Sequence, residues 1–298
     1  MKIAAVIVTY NPDLKLLLEQ YTSVCKQVDV IIYVDNNSSN YEIIYKLLMQ
    51  KNTLGDNLCF IHNELNRGIG YAHNRGIFCA KKKGVDAVLI LDHDSVLKDN
   101  FVKNLSSSLV ENEVSKIAAV GPVYMNSTTG EYYPITTYIG PFIKRLRPTS
   151  HPVEASFLIS SGSLIPLNVI DDIGGMNEEL FIDYIDVEWS YRAKSKGYKL
   201  LAVPTAVMEH RIGDKRISIL GRTISVHTPL RRYYLTRNSI YMVKLPYVSL
   251  GYKIRELSFN ILRILIFVIL SEQKMKYLKY SMRGLLDGIK GKYGKCSM

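Results

Sequence analysis

Ala87-Val88-Leu89-Ile90-Leu91-Asp92-His93-Asp94-Ser95 sets an unbroken apolar run directly against two carboxylates one residue apart. A short apolar run without alternation fits a strand buried on both faces, as strands of a parallel sheet are. In an open α/β sheet, ligands bind outside the carboxyl ends of the strands. Asp92 and Asp94 therefore fall where a site would be. Two carboxylates so close repel each other unless a cation offsets them. Mg²⁺ or Mn²⁺ with a phosphate is the usual partner, because hard cations take oxygen ligands and keep positions open for substrate oxygens. Asp-x-Asp is also common in loops, so the reading depends on its neighbours.

The neighbours repeat the pattern. Residues 2–10 read as a buried strand, broken by Asn11-Pro12-Asp13 before a helical spacing over 14–26. Val30 to Val34 is a second strand, ending at Asp35-Asn36-Asn37-Ser38-Ser39, with a helix over 41–51. Leu58 to His62 is a short third strand. Asn66-Arg67-Gly68-Ile69-Gly70-Tyr71-Ala72-His73-Asn74-Arg75-Gly76 then opens a helix reaching Lys83. Strand and helix alternate three times, which predicts a parallel, three-layer, Rossmann-like α/β unit. The second half changes character. Residues 117–165 hold short β-like runs, 170–197 a loop and an acidic helix, and 200–204 another strand; the chain is helical from Arg231 onward.

Three strand ends thus align: Thr9-Tyr10-Asn11, Asp35-Asn36 and Asp92-His93-Asp94. Taken singly, Asn, Asp and Ser after a strand only make turns and cap helices. Together, followed by a Gly-rich helix start, they suggest a nucleotide pocket. Asp35 would accept a base N–H, and Gly68 and Gly70 would let backbone approach phosphates, with Arg67 or Arg75 for charge. A dinucleotide fingerprint would lie after the first strand, where Thr-Tyr-Asn-Pro-Asp stands instead, and no Walker pattern is present.

Length and charge bound the rest. The chain has 298 residues, 47% of them hydrophobic, enough for one large domain with an appendage. Cys25, Cys59, Cys79 and Cys296 have no zinc or CxxC spacing. The N-terminus opens directly on a strand, with no signal-peptide pattern, so a reducing cytoplasm is expected. The net charge of +11 is unevenly placed: residues 1–230 balance at 24 basic against 24 acidic, and residues 231–298 hold 14 against 3. Ile261 to Leu270 is strongly apolar but too short to span a bilayer. Lysines and arginines beside it suit an anionic membrane surface; a buried helix with a solvated basic end is the plainer alternative. Nucleic acid is not favoured, since no recognition motif accompanies the charge.

The strand ending Val-Thr-Tyr-Asn, then Val-Asp-Asn-Asn-Ser, Asn-Arg-Gly-Ile-Gly-Tyr-Ala-His-Asn-Arg-Gly and Leu-Asp-His-Asp-Ser resembles family 2 glycosyltransferases of the GT-A fold. Among them it is most similar to bacterial rhamnosyltransferases, which often carry Gln where His93 stands. The resemblance covers about residues 1–240. It implies a GT-A domain over 1–230 and a basic helical extension over 231–298.

The resemblance also implies roles. Thr9, Tyr10 and Asn11 would contact the nucleoside, and Asp35 and Asn36 its base side. Arg67, Gly68 and Asn74 would line the diphosphate. Asp92 and His93 would approach the sugar-nucleotide, and Asp94 would ligate Mg²⁺ or Mn²⁺, with His210 as a second ligand. In Phe181-Ile182-Asp183-Tyr184-Ile185-Asp186-Val187-Glu188-Trp189, only Asp186 matches the family's catalytic base, because Ile185 stands at the usual Glu. Displacement at an anomeric carbon needs one carboxylate to take the acceptor's proton. Asp183, Glu188 and Trp189 would lie on the acceptor side, with Asp183 and Asp186 sharing a helix face. Arg231, Arg232, Arg237 and Asn238 would pair with diphosphate oxygens or form a basic helix face.

The implied activity is an inverting transfer of L-rhamnose from dTDP-β-L-rhamnose to a lipid-linked saccharide of O-antigen or capsular polysaccharide, at the inner face of the cell membrane. A UDP-sugar donor and a non-catalytic nucleotide-sugar-binding protein are the alternatives. A nucleotidyltransferase fits less well, for want of an activating basic loop near the N-terminus.

Overall fold

The computed structural model describes residues 1–112, 115–126, 129–210, 216–219, 222–225 and 227–297. The strands are β1 (Ile3–Thr9), β2 (Val30–Asp35), β3 (Leu58–His62), β4 (Ala87–Asp92), β5 (Ile117–Asn126), β6 (Ile135–Ile139), β7 (Phe142–Leu146), β8 (Val153–Glu154), β9 (Ser163–Pro166), β10 (Lys199–His210), β11 (Arg216–Ile219) and β12 (Arg222–Ser225). The helices are α1 (Leu14–Val24), α2 (Tyr41–Gln50), α3 (Ile69–Lys82), α4 (Phe101–Glu111), α5 (Leu167–Ile173), α6 (Ile185–Ser195), α7 (Pro229–Lys244), α8 (Leu250–Leu270) and α9 (Lys274–Lys290).

Eight strands form one sheet in the order β3-β2-β1-β4-β9-β5-β10-β8. β1 to β4 pair in parallel, as the alternation of strand and helix predicts. Every residue of β1 is buried, because both sheet faces are covered. Ala4, Val6 and Val8 face α3, α5 and α6, while Ile3, Ala5 and Ile7 face α1, α2 and α4. Asp13 fixes where α1 starts: its carboxylate accepts from the N–H groups of Lys15 and Leu16 at 2.8 and 3.1 Å.

The second half departs from a purely parallel sheet. β9 enters antiparallel between β4 and β5. Four residues, Ser-Leu-Ile-Pro, are too few to show a period, so this strand was invisible in the pattern. β10 is much longer than the expected 200–204 stretch and continues to His210 beside β5. Its register slips between Val203 and Val207, where Pro204 has no N–H to give the ladder.

The C-terminal helices are packed onto this sheet domain. Tyr191 of α6, Met242 of α7 and Tyr252 of α8 share one apolar cluster. α9 lies against α7 through small residues: a Cβ on Gly284 would sit 2.5 Å from the Tyr233 carbonyl oxygen. No helix among the described residues is long and apolar enough to cross a membrane.

Gly284 tests this packing. Alanine in a helix interior would ordinarily be favoured by about 1 kcal/mol. Here its Cβ meets backbone, which cannot rotate away, and overpacking of this kind costs about 1–3 kcal/mol. Gly284→Ala is therefore expected to lower the urea midpoint, and an unchanged or higher midpoint would contradict the α7–α9 contact.

Candidate active site

Parallel pairing puts Thr9 beside Asp35 and Val8 beside Asp92 at the carboxyl edge of the sheet. Asp35 is 2% exposed. It accepts from the Thr9 hydroxyl at 2.9 Å and the Ser38 N–H at 2.9 Å, and its Oδ2 lies 3.1 Å from His62 Nδ1. A carboxylate has about four acceptor positions, so these partners leave one on Oδ1. Asn11, at φ 47°, ties its turn to the next: its N–H donates to Ser38 Oγ, and its Oδ1 accepts from Ser39. Tyr10 stands half exposed above them. Asn36 reaches across to the loop before α3, donating to Asn66 Oδ1 at 3.0 Å and to the Gly68 carbonyl at 3.2 Å.

Two expectations on the diphosphate side are corrected. Gly68 does not make room for a phosphate. At φ 95°, its missing side chain accommodates Phe181, whose carbonyl oxygen would lie 2.5 Å from a Cβ, and its N–H is spent on Asn66 Oδ1. Gly70 is likewise pressed on the Asn177 carbonyl. Asn74 is a cross-link: its amide donates to the Met176 carbonyl and to Glu178, and its Oδ1 accepts from the Met176 N–H. These small and amide residues bring the start of α3 against residues 176–181. Arg67 remains exposed, its guanidinium 4.0 Å over the Tyr71 ring.

Asp92 ends β4 with its N–H donated to Ser161 Oγ at 3.1 Å and its carbonyl accepting from the buried Gln20 amide. His93 places Nδ1 3.4 Å from the Val8 carbonyl. Asp94 is exposed on the following turn. Among the described residues, no three His, Cys, Asp or Glu side chains converge on a metal position. The side chain of His210 lies outside the described residues. The backbone of β10 passes this turn, since Leu97 bridges to Met208. Asp94 thus presents a single exposed carboxylate at the sheet mouth.

Asp186 opens α6 on the other side of the mouth. Its Oδ1 accepts from the Val187 N–H at 2.8 Å and its Oδ2 from the Ser160 N–H at 3.3 Å. Burial raises its pKa to about 6, against the lowering effect of those backbone donors. Ser160 and Ser161 are consecutive, so one turn donates the Ser160 N–H to the Asp186 carboxylate and accepts the Asp92 backbone N–H at the Ser161 hydroxyl. Tyr124 donates to the Ser161 carbonyl at 2.6 Å; burial first, then the negative charges of Asp92 and Asp186, push its phenol far above the ordinary range. Gln20, Tyr124, Ser160 and Ser161 carry no motif of their own, and only the return of β9 beside β4 brings the serines here.

The other acceptor-side residues are placed differently from expectation. Asp183 is not on the helix with Asp186. Phe181, Asp183 and Tyr184 have φ of 63°, 63° and 65°, and α6 starts only at Ile185. Asp183 is paired with Arg231 at 3.0 Å. Glu188 is 1% exposed and receives two bonds from Arg192, both 2.9 Å, and the Tyr247 hydroxyl. Trp189 is 3% exposed, and its indole N–H donates to the Gly174 carbonyl at 2.9 Å. These two support the helix from within and offer no acceptor platform.

The basic α7 segment is corrected too. Arg232, Arg237 and Asn238 are buried. The Asn238 amide donates to the carbonyls of Leu180, Ile182 and Asp183 at 3.0, 2.8 and 3.1 Å. Arg237 donates to the carbonyls of Glu179, Leu180 and Gly294. Non-glycine residues at positive φ cost about 1–3 kcal/mol each, and these donors hold the segment there.

Comparison with known proteins agrees with this geometry. Residues 4–174 match the model of glycosyl transferase family 2. The chain is 37% identical over 298 residues to dTDP-rhamnosyl transferase RfbF of Shigella flexneri, covering 97% of this chain and 96% of that one. Among solved structures, S. aureus TarS 1–349 in complex with UDP-GlcNAc superposes with a TM-score of 0.61 at 17% identity, over 98% of this chain and 82% of that chain. GalNAc-T7 with UDP, GalNAc and Mn²⁺ superposes with a TM-score of 0.60 at 17% identity, over 97% of this chain and 56% of that chain. The mixed sheet with its parallel nucleotide half is thus GT-A-like.

Asn238→Ala removes the side-chain donor of the Ile182 and Asp183 carbonyls, while Leu180 keeps Arg237. Stability should fall by about 1–3 kcal/mol in urea denaturation, and kcat should fall more than donor affinity. Wild-type stability with a wild-type rate would show that the clamp is dispensable.

Proposed function

Because this chain belongs to glycosyl transferase family 2, we propose that it is an inverting enzyme that transfers L-rhamnose from dTDP-β-L-rhamnose to a hydroxyl of a lipid-linked saccharide, giving an α-linked product. The observation that carries this reading is Asp186, a carboxylate of raised pKa joined through the Ser160-Ser161 turn to Asp92 at the mouth of β4. The identity to a dTDP-rhamnosyl transferase supports the choice of donor.

The donor lies across the ends of β1, β2 and β4. Tyr10 and Asn11 border the nucleoside, Thr9 holds Asp35, and the remaining acceptor position of Asp35 takes a base N–H. Asn36 fixes the loop that presents Arg67, whose guanidinium faces the diphosphate. Asp92 and His93 border the sugar-nucleotide. Asp94 would hold Mg²⁺ or Mn²⁺, which when bound offsets the charge of the departing nucleoside diphosphate. Asp186 accepts the proton of the incoming hydroxyl as its oxygen attacks the anomeric carbon from the face opposite the diphosphate. The bond to the diphosphate breaks as the new bond forms, so configuration inverts. A carboxylate held near pKa 6 suits a base, since it is ionised at neutral pH yet more basic than a solvated aspartate. The acceptor is a saccharide on a polyprenyl diphosphate lipid, reached at the cytoplasmic face of an anionic membrane.

The sign of the pH dependence follows. Asp186 must be ionised to act, and its pKa is raised to about 6. Transfer should rise with pH through that value and level off above it. Asp186→Asn should lose about 10²–10⁴-fold in rate while binding donor nearly as before. Full transfer activity in that variant would remove Asp186 from the base role.

Calorimetry with dTDP-, UDP- and GDP-sugars, with and without Mn²⁺, tests the donor. Tightest binding of dTDP-rhamnose, strengthened by Mn²⁺, is expected, and a preference for UDP-sugars would overturn the rhamnose assignment. Asp94→Ala should bind donor with no Mn²⁺ enhancement; an unchanged enhancement would exclude Asp94 as ligand.

A further inference from the structure

α8 has two unlike faces. Tyr252, Glu256, Asn260 and Phe267 are buried. Leu250, Ile254, Leu257, Ile261, Leu265 and Ile269 recur every three or four residues and are all exposed, which makes one apolar stripe along the helix. The stripe continues onto a second element. Gly251 lies so close to the β6–β7 turn that a Cβ there would sit 2.2 Å from the Gly140 carbonyl carbon. Tyr138 packs edge-on against Tyr252 at 5.3 Å, and the Arg255 guanidinium lies 5.4 Å over the same Tyr138 ring. The hairpin tip is thereby held beside Leu250, with Ile139 exposed and Phe142 75% exposed. A contiguous apolar surface of this extent marks an interaction site.

Charge selects the partner. Lys144, Arg145 and Arg147 are exposed on and beside the hairpin, and Lys274, Lys276 and Lys279 are exposed on α9. Of the three acids after residue 230, Glu256 and Asp287 are buried, so only Glu272 stands at the surface. Two copies meeting through this face would bring basic rims together. An anionic lipid surface meets both features at once, with apolar side chains in the acyl boundary and cations at the headgroups.

We infer that the exposed face of α8 and the β6–β7 tip form one docking surface for an anionic bilayer, lying in its interface without crossing it. This deepens the reading of a lipid-borne acceptor by naming the surface that meets the membrane. The buried face of α8 packs against α6, the helix that carries Asp186, through Tyr252 and Tyr191.

Vesicle flotation tests it and needs neither donor nor acceptor, so its outcome is separate from that of the transfer assay. The full chain is expected to float with vesicles of equal parts phosphatidylglycerol and phosphatidylcholine, and to stay behind with phosphatidylcholine alone. The double variant Ile261→Asp/Leu265→Asp, and Phe142→Ser separately, should partition about tenfold more weakly or less. Both alter exposed side chains, so melting temperature and transfer to a water-soluble acceptor should not change. Val110→Asp, an equally exposed apolar site on α4, should float as the wild type does. Wild-type flotation of the α8 and hairpin variants would overturn the inference, as would equal binding to neutral vesicles or none to either. A concentration-dependent dimer in sedimentation, abolished by the same variants, would assign the face to a second copy instead.

Discussion

Three backbone carbonyls held by one buried amide are the constraint on which the segment before Asp186 depends. Phe181, Asp183 and Tyr184 take conformations that side-chain-bearing residues avoid, and they do so directly before Asp186. An ordinary helix start would not need them. Asn238 and Arg237 stabilise these conformations by giving the turned carbonyls donors. Phe181 then closes on Gly68, so the segment before Asp186 also abuts the loop that opens α3. A single local geometry therefore sets the distance between the two halves of the site.

The parallel half of the sheet was legible in the sequence, and the packing around Asp186 was not. Buried parallel strands are continuous apolar runs, so β1, β2 and β4 and the residues at their ends could be placed by pattern alone. The fold is encoded there by short-range signals: a cap at Asp13, a break at Pro12, a strand end at Asp92. The packing around Asp186 is assembled by long-range contacts. Four-residue β9 has no period, yet its return beside β4 is what carries Ser160 and Ser161 between Asp92 and Asp186. Arg237 and Asn238 look like a basic surface segment because composition does not say which way a side chain points. Helical spacing was also misleading at Asp183 and Asp186: it assumes that the helix has begun, and left-handed residues delay it. The glycines near Gly68 were read as space for a ligand, when the space is filled by protein.

The two acids at the centre differ because their surroundings differ. Asp94 is exposed on the turn after β4. Asp186 is shielded, and desolvation raises its pKa to about 6. Tyr124 stands where both Asp92 and Asp186 act on it, and its hydroxyl is committed to the Ser161 carbonyl.

The small-residue seam between α7 and α9 has a consequence for how such enzymes diverge. Asn238 belongs to a helix whose position depends on Gly284 and on Gly288, which would meet the Arg237 carbonyl. The tail is therefore no detachable module. A graft of another member's last two helices would bring a different seam, and with it a different setting of the segment before Asp186. Substitutions along that seam and in residues 179–184 are expected to have accumulated together, as compensating pairs, while the ends of β1, β2 and β4 changed on their own schedule.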